Sequence, residues 1–339
     1  MKIGCKKGED MTETPQNFEP LVSICIPVFN GEKTIRKTIN SVINQTYKNL
    51  EIIIVDNCST DSTVRVVQEF TDPRIRIILN NIHYSCGEDN WNRCFPYAHG
   101  EYMAIFHADD IYLPQMVARQ IETFLKFPVV CGVFTQGNII NENDEIIGKF
   151  RLPPGIEGGK PLSYQELITA SLEYADFLPT PTAMFRREMY VRLSPFRYAQ
   201  FGSASDFDLW LRASVCAPVM VLDEKLMNYR VSKSQGTNKI NRLRTQESDY
   251  FRVLDYHLGQ LTGKTDISAK ARQSYELSRF GDQLIRISNT IKKRDWKECK
   301  IQVRKVPWTK YFLLTFKNPR AIFVKFHLFA YFRIFKVYK

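Results

Sequence analysis

The chain is 339 residues long and carries 47 Lys+Arg against 36 Asp+Glu, a net charge of +11, with 44% hydrophobic and 24% charged residues. That is ordinary globular composition, which excludes a disordered or fibrous protein and leaves room for one large α/β domain plus an accessory region. No run of 18 uncharged apolar residues occurs, Met1–Glu19 has no signal-type apolar stretch, and the eight cysteines form neither C-x-x-C nor a zinc pattern, so we expect a reduced, cytoplasmic protein.

In chain order the pattern is strand, helix, strand, helix. Val22–Val28 (VSICIPV) and Leu50–Asp56 (LEIIIVD) are β-branched apolar runs suited to strands buried on both faces of a parallel sheet. Between them Ile35, Ile39, Val42 and Ile43 recur at helical spacing over Glu32–Gln45, and Val64, Val67 and Phe70 do so over Thr60–Phe70, behind the capping cluster Ser59-Thr60-Asp61. Arg74–Leu79 predicts a third strand, Asn90–Ala98 a helix, Tyr102–His107 a fourth strand, and Pro114–Phe127 a helix with Pro near its first turn. This alternation predicts an open, mostly parallel Rossmann-like sheet flanked by helices, with ligands bound beyond the carboxyl ends of the strands. Asn30, Asp56 and Asp109-Asp110 fall at those ends. Dinucleotide binding would need G-x-G-x-x-G after the first strand, and Pro27–Gly31 does not supply it.

Further on, Val130–Gln136 and Thr182–Arg186 predict strands and Ser205–Cys216 a helix, while residues 238–304 are helical and polar, a region able to pair subunits. The charge is confined to the end. Lys292–Lys339 holds 14 Lys+Arg, two acids and twelve aromatics, so the first 291 residues are close to neutral. At 100° per residue Lys325, Arg333, Lys336 and Lys339 share an arc of roughly 120° opposite an apolar face, the composition of a helix lying on a membrane surface. The rival is a helix packed on the core with a solvated basic edge; no nucleic-acid-binding signature accompanies the charge.

Three acidic sites close a strand or open a helix. Asp56 suits either a helix-capping turn or a carboxylate that receives hydrogen bonds from a base or ribose. Asp109-Asp110 places two carboxylates side by side, so a cation is expected there, Mg²⁺ or Mn²⁺ being the natural choice. Asp206 and Asp208 flank Phe207; on a helix they diverge by about 200°, so one is expected in a cleft and the other as a cap or in solvent.

In this order and spacing, PVFNGEKTI, VDNCSTDST, HADDIYLP and SDFDLWLRA resemble the family 2 glycosyltransferases of the GT-A fold, over about residues 21–232. The resemblance implies a GT-A domain at 21–232, with a nucleotide-sugar half (21–128) and an acceptor half (129–232). Residues 1–20 are then an extension, and 233–339 a helical C-terminal region ending in the membrane-associating tail 292–339. It implies that Pro27, Val28, Phe29, Asn30, Glu32, Asp56, Asn57, Asn92 and Asp110 bind the donor nucleotide. Asp109 would hold the divalent metal, Mn²⁺ or Mg²⁺, and Asp206 would be the general base. The chain departs from the family at two places: His107 stands for the first aspartate of the metal motif and reads as a structural strand-end residue, and Ser205 replaces the Glu before the base. The function implied is inverting transfer from a nucleotide-diphospho sugar, UDP first among carriers, to a glycan or lipid-linked acceptor at the inner face of the cell membrane. The rival class is a non-catalytic scaffold that keeps the nucleotide pocket.

Overall fold

Strand β1 (Val22–Val28) is buried along its whole length. Val22 Nα and Val28 O both face β2 (Leu50–Asp56), since Val22 donates to Asn49 and Val28 accepts from Asn57. Alternation therefore turns the nitrogen of Pro27 to the other side, towards β4 (Tyr102–Ile105), whose pairing with β1 ends at Cys25 opposite Ile105. A proline that lacks an N–H costs no ladder bond there. The neighbouring strand has run out, and a cleft begins.

The computed structural model describes residues 19–232, 243–261 and 267–307. Its elements are β1, α1 (Ile35–Ile43), β2, α2 (Thr63–Gln68), β3 (Ile75–Leu79), α3 (Gly87–Asn92), β4, β5 (Ile111–Tyr112), α4 (Met116–Lys126), β6 (Gly132–Ile140), β7 (Ile146–Lys149), β8 (Pro161–Leu162), α5 (Tyr164–Tyr174), β9 (Met184–Arg186), α6 (Arg187–Leu193), α7 (Tyr198–Phe201), α8 (Ser205–Cys216), β10 (Val219–Arg230) and three later helices. Those are α9 (Asp249–Gln260), α10 (Ala269–Lys292) and α11 (Trp296–Arg304). The strands form one curled sheet in the order β3-β2-β1-β4-β9-β6-β10-β5, with β7 on β6 and β8 on β10. Parallel pairing runs through β3, β2, β1 and β4 and recurs between β6 and β10. The three-residue β9 is antiparallel to both its neighbours, and β5, β7 and β8 pair antiparallel with β10, β6 and β10.

The expected two-sided burial is seen residue by residue. Ile24, Ile26, Ile52 and Ile54 pack on one face of the sheet, and Cys25, Ile53 and Val55 on the other. Each such side chain contributes about 1.5–3 kcal/mol of burial, and the period of two fixes the register. Two helix boundaries differ from the sequence expectation for local reasons. Helix α2 starts at Thr63 rather than Thr60, because Ser59 and Asp61 are engaged with the loop after β1. The helix expected at Asn90–Ala98 is α3, starting earlier at Gly87, followed by a 3-10 turn over Phe95–Tyr97, where Pro96 has no N–H to continue it.

The helical region is present as α9 to α11, with Leu277, Phe280, Leu284, Ile287, Cys299 and Val306 forming a small core of its own. Among the described residues no helix is long and apolar enough to cross a membrane. The aromatic, basic residues 308–339 and the extension 1–18 lie outside the described residues.

Candidate active site

Three loops meet where β1, β2 and β4 end. The loop after β1 is stitched to the loop after β2: Asn30 N donates to Ser59 Oγ (2.9 Å), Gly31 N to Thr63 Oγ1 (2.8 Å) and Glu32 N to Asp61 Oδ2 (3.1 Å). In return Thr60 N donates to Asn30 Oδ1 (2.8 Å) and Ser62 N to Glu32 Oε2 (3.0 Å). Asn30 takes φ 49°, a left-handed conformation that asparagine tolerates better than most residues. Side by side, Asn30 and Phe29 are exposed, whereas Pro27 and Val28 are buried and offer a ligand only their backbone.

Asp56 is buried to 3% exposure; its Oδ2 accepts Ser59 N at 3.0 Å, and its Oδ1 has no hydrogen-bond partner. A buried lone carboxylate oxygen at a strand end is an acceptor waiting for a donor group, such as the N–H of a base. Close by, the ring of His83, whose Nδ1 is 3.0 Å from the carbonyl of Asn57, lies 4.5 Å from that of Phe29 with the planes tilted by 46°, a pair that the sequence reading missed because nothing in the local pattern marks His83.

Two expected donor residues also brace loops. Asn57 spends both ends of its amide on the backbone of Tyr84, at 2.8 Å each. Asn92 does the same to Phe196, donating to its carbonyl at 3.2 Å and accepting its N–H at 2.8 Å. Both brace loops, and each amide keeps a second N–H and a second oxygen lone pair beyond these bonds.

The Asp109-Asp110 turn is held from three sides. Thr38 on α1 donates to the carbonyls of Ala108 (3.0 Å) and Asp110 (2.8 Å). His107 N donates to the hydroxyl of Tyr112 (2.6 Å), whose ring stacks on Phe106. Arg230, ending β10, donates from its backbone to Asp110 Oδ1 (2.8 Å) and from Nε to the carbonyl of Asp109 (2.8 Å), and pairs with Asp144 at 2.6 Å. A guanidinium is thus part of the cation expected there. It does not complete the site: Asp110 Oδ2 is wholly buried without a partner, and so is His107 Nε2.

Burial pushes both carboxyls up, Asp110 well above its usual range with the charge of Asp109 adding to it, while Arg230 pulls the other way. Burial also holds His107 down at about 4, so its ring is neutral at neutral pH. One ligand atom each from His107, Asp109 and Asp110 lies within 4.8 Å of the others, and among the described residues this is the one group of three or more His, Cys, Asp or Glu that fits an ion so. Orphaned oxygen and nitrogen atoms in a mixed carboxylate–imidazole set fit a divalent cation. The strand ends at Ile105, so His107 lies two residues past it, beside the two carboxylates.

The start of α8 carries the next acid. Asp206 Oδ2 accepts Thr180 Oγ1 at 2.7 Å and its Oδ1 accepts Phe207 N at 2.7 Å; neither partner is a cation. Burial raises its carboxyl above the ordinary 3.8. Glu88 on α3 is lifted to about 7 by desolvation and by the charges of Asp206, Asp89 and Asp249. Asp176, exposed at its own surface, is pushed up as well, by desolvation and then by Asp206. These carboxyls therefore share little compensating charge, which is how a general base is tuned towards neutrality.

Asp208 departs from expectation: it neither caps nor meets solvent. It is fully buried, with Arg197 Nε and Arg212 Nε each 2.9 Å from Oδ2, and Arg197 Nη2 and His257 Nε2 (3.1 Å) on Oδ1. Burial alone would raise it; the hydrogen bonds from His257 and Arg197 and the charge of Arg212 outweigh that and hold it at about 2. Trp210 is core: it stacks on Phe185 at 4.8 Å and meets Phe134 and Phe196 edge-on.

The Glycosyl transferase family 2 model matches residues 23–193. The chain is 32% identical over 232 residues, 67% of this chain and 83% of the other, to the Escherichia coli UDP-Glc:alpha-D-GlcNAc-diphosphoundecaprenol beta-1,3-glucosyltransferase WfgD. Among solved structures, S. aureus TarS 1–349 in complex with UDP-GlcNAc superposes with a TM-score of 0.54 at 15% identity, covering 83% of this chain and 90% of that one. The mannosyltransferase PcManGT from Pyrobaculum calidifontis, in complex with GDP-Man and Mn²⁺, does so with a TM-score of 0.56 at 15% identity, covering 92% and 84%. Identities so low establish a shared fold alone.

Proposed function

The chain belongs to the family 2 glycosyltransferases, and from that premise we propose that it moves a sugar, with inversion, from a nucleotide-diphospho sugar to a hydroxyl of a lipid-linked glycan or surface-polysaccharide precursor. UDP is the carrier we propose: the similar E. coli protein uses UDP-Glc, and TarS was crystallised with UDP-GlcNAc. The observation that carries the reading is Asp206, a carboxylate fixed by a hydroxyl and an amide and, among the described residues, hydrogen-bonded to no cation.

The chemistry follows from what these groups can do. Asp206 takes the proton of the acceptor hydroxyl, worth typically ~10²–10⁴-fold in rate. The freed oxygen attacks the anomeric carbon as the bond to the diphosphate oxygen breaks on the opposite side, which inverts that centre. Thr180 keeps the carboxylate aimed, and the free Oδ1 of Asp56, with Phe29 and His83, receives the base. Asp109 and Asp110 would hold Mn²⁺ or Mg²⁺, which supplies the Lewis acidity that stabilises the departing diphosphate. Arg230 adds a fixed positive charge beside them.

Residence at the inner membrane surface is supported by the outer side of α11. Trp296 (55% exposed), Lys297, Lys300, Ile301 (40%) and Arg304 fall within roughly 140° of that helix, opposite the packed Cys299 and Gln302. Replacing Lys297, Lys300 and Arg304 by Glu in the full chain should weaken flotation with anionic liposomes; unchanged flotation would remove α11 from the membrane reading.

The donor site is tested by thermal melting with UDP, GDP, dTDP or CMP, each with Mn²⁺ or with EDTA. The reading expects a stabilising shift with UDP that EDTA abolishes. A shift with another nucleotide reassigns the carrier, and no shift with any removes the donor reading.

A further inference from the structure

We propose that His107 is a direct metal ligand, so that this chain holds its divalent ion with one imidazole nitrogen as well as carboxylate oxygens and discriminates against Mg²⁺. The inference rests on the metal reading above and goes beyond it: an all-carboxylate motif accepts Mg²⁺ and Mn²⁺ almost alike, whereas an imidazole does not.

Neither ring nitrogen of His107 is satisfied within the protein. Nε2 is buried without a hydrogen-bond partner, and Nδ1 has Asp110 Oδ2 at 3.9 Å, too long for a hydrogen bond. Ligand atoms each about 2.1 Å from a shared ion lie roughly 3–4 Å apart, so 3.9 Å is a ligand-to-ligand distance. The oxygen on that side, Asp110 Oδ2, is itself buried and without a hydrogen bond. A buried polar atom left unsatisfied costs about 1–3 kcal/mol, and His107 Nε2 and Asp110 Oδ2 are two such atoms in one cluster of possible metal ligands.

The position of the ring is built. Its backbone N–H is fixed by Tyr112, and its face lies against Trp91 at 5.3 Å, with Trp91 in turn backed by Phe196. That arrangement leaves the imidazole little freedom to turn away, and it gives Trp91 a reason to be where it is. Mn²⁺ also favours oxygen, but Mg²⁺ is the harder ion and gives up its water oxygens reluctantly, so one nitrogen in the set costs Mg²⁺ more than Mn²⁺ and shifts the balance against Mg²⁺.

The test uses the full-length protein with Mn²⁺ and UDP, read by pulsed electron paramagnetic resonance rather than by turnover. The expected result is ¹⁴N modulation from a directly bound imidazole in the wild type, lost in His107→Asp while Mn²⁺ still binds. In the same samples, the Mg²⁺ excess needed to displace half the Mn²⁺ should fall about tenfold in His107→Asp. Bound Mn²⁺ with no nitrogen signal in the wild type, or an unchanged displacement ratio, overturns the ligand role of His107 and leaves the metal reading standing. Mn²⁺ that does not bind at all overturns both, with Arg230 then the counter-charge to the two carboxylates. A His107→Gln variant, nearer in size to His, guards against misfolding of His107→Asp; persistence of the signal in it would also overturn the proposal.

Discussion

Asp206 and Asp208 sit two residues apart at the start of one helix and live in opposite electrostatic worlds. Behind the helix Asp208 has two guanidiniums and an imidazole within hydrogen-bond distance and is held at about 2. Asp206 has one hydroxyl and its neighbour's amide, and burial carries it upward. The lesson is that charge compensation, rather than burial or motif membership, sets the two carboxylates apart. The neutralised acid ties α8 to α9 through His257; the uncompensated one is left able to take a proton.

The comparison can be broken from the structural side first. Asp208→Asn leaves Arg197 and Arg212 buried beside a neutral amide, so chemical denaturation should show a loss of about 3–5 kcal/mol, while the folded fraction keeps its donor affinity. A loss under 1 kcal/mol would mean the cluster is not the clamp described. His257→Phe removes one of four contacts and keeps the ring, so about 1–3 kcal/mol is expected, with the unfolding midpoint as readout.

The pH dependences should separate in the same way. Asp208 contributes stability that is complete above the ordinary 3.8 and is lost as pH falls towards 2. Asp206 has the opposite sign: its raised value contributes stability below 3.8 that is lost as pH rises through the raised value, while the base it provides appears over that interval. Turnover should therefore fail on acidification at a higher pH than the fold does, and coincident acid limbs for rate and melting would contradict the assignment. Smallest of all, Thr180→Val removes the hydroxyl that stabilises the charged form of Asp206, so the acid limb of turnover should move up by about one pH unit with little change in melting.

How much of this was legible follows from how local each signal is. Strands β1 and β2 announce themselves because alternate residues must face opposite cores, and the loops at their ends carry the acids that the site uses. The role of Asp208 was not legible, because its partners Arg197 and His257 stand 11 and 49 residues away and no periodicity links them. The bracing of Asn57 on Tyr84 and of Asn92 on Phe196 was not legible either, because the partners stand 27 and 104 residues away. His107 looked like a substitution that weakened the metal motif; only the turn held by Thr38, Tyr112 and Arg230 brings its ring beside the carboxylates.

The most direct test of the account is turnover of Asp206→Asn at saturating donor, measured beside its donor affinity and melting midpoint. The account predicts a fall of about 10²–10⁴-fold with affinity and melting unchanged, since only the proton acceptor is gone. Turnover within a few-fold of the wild type would show that the proton goes elsewhere and that Asp206 is not the base.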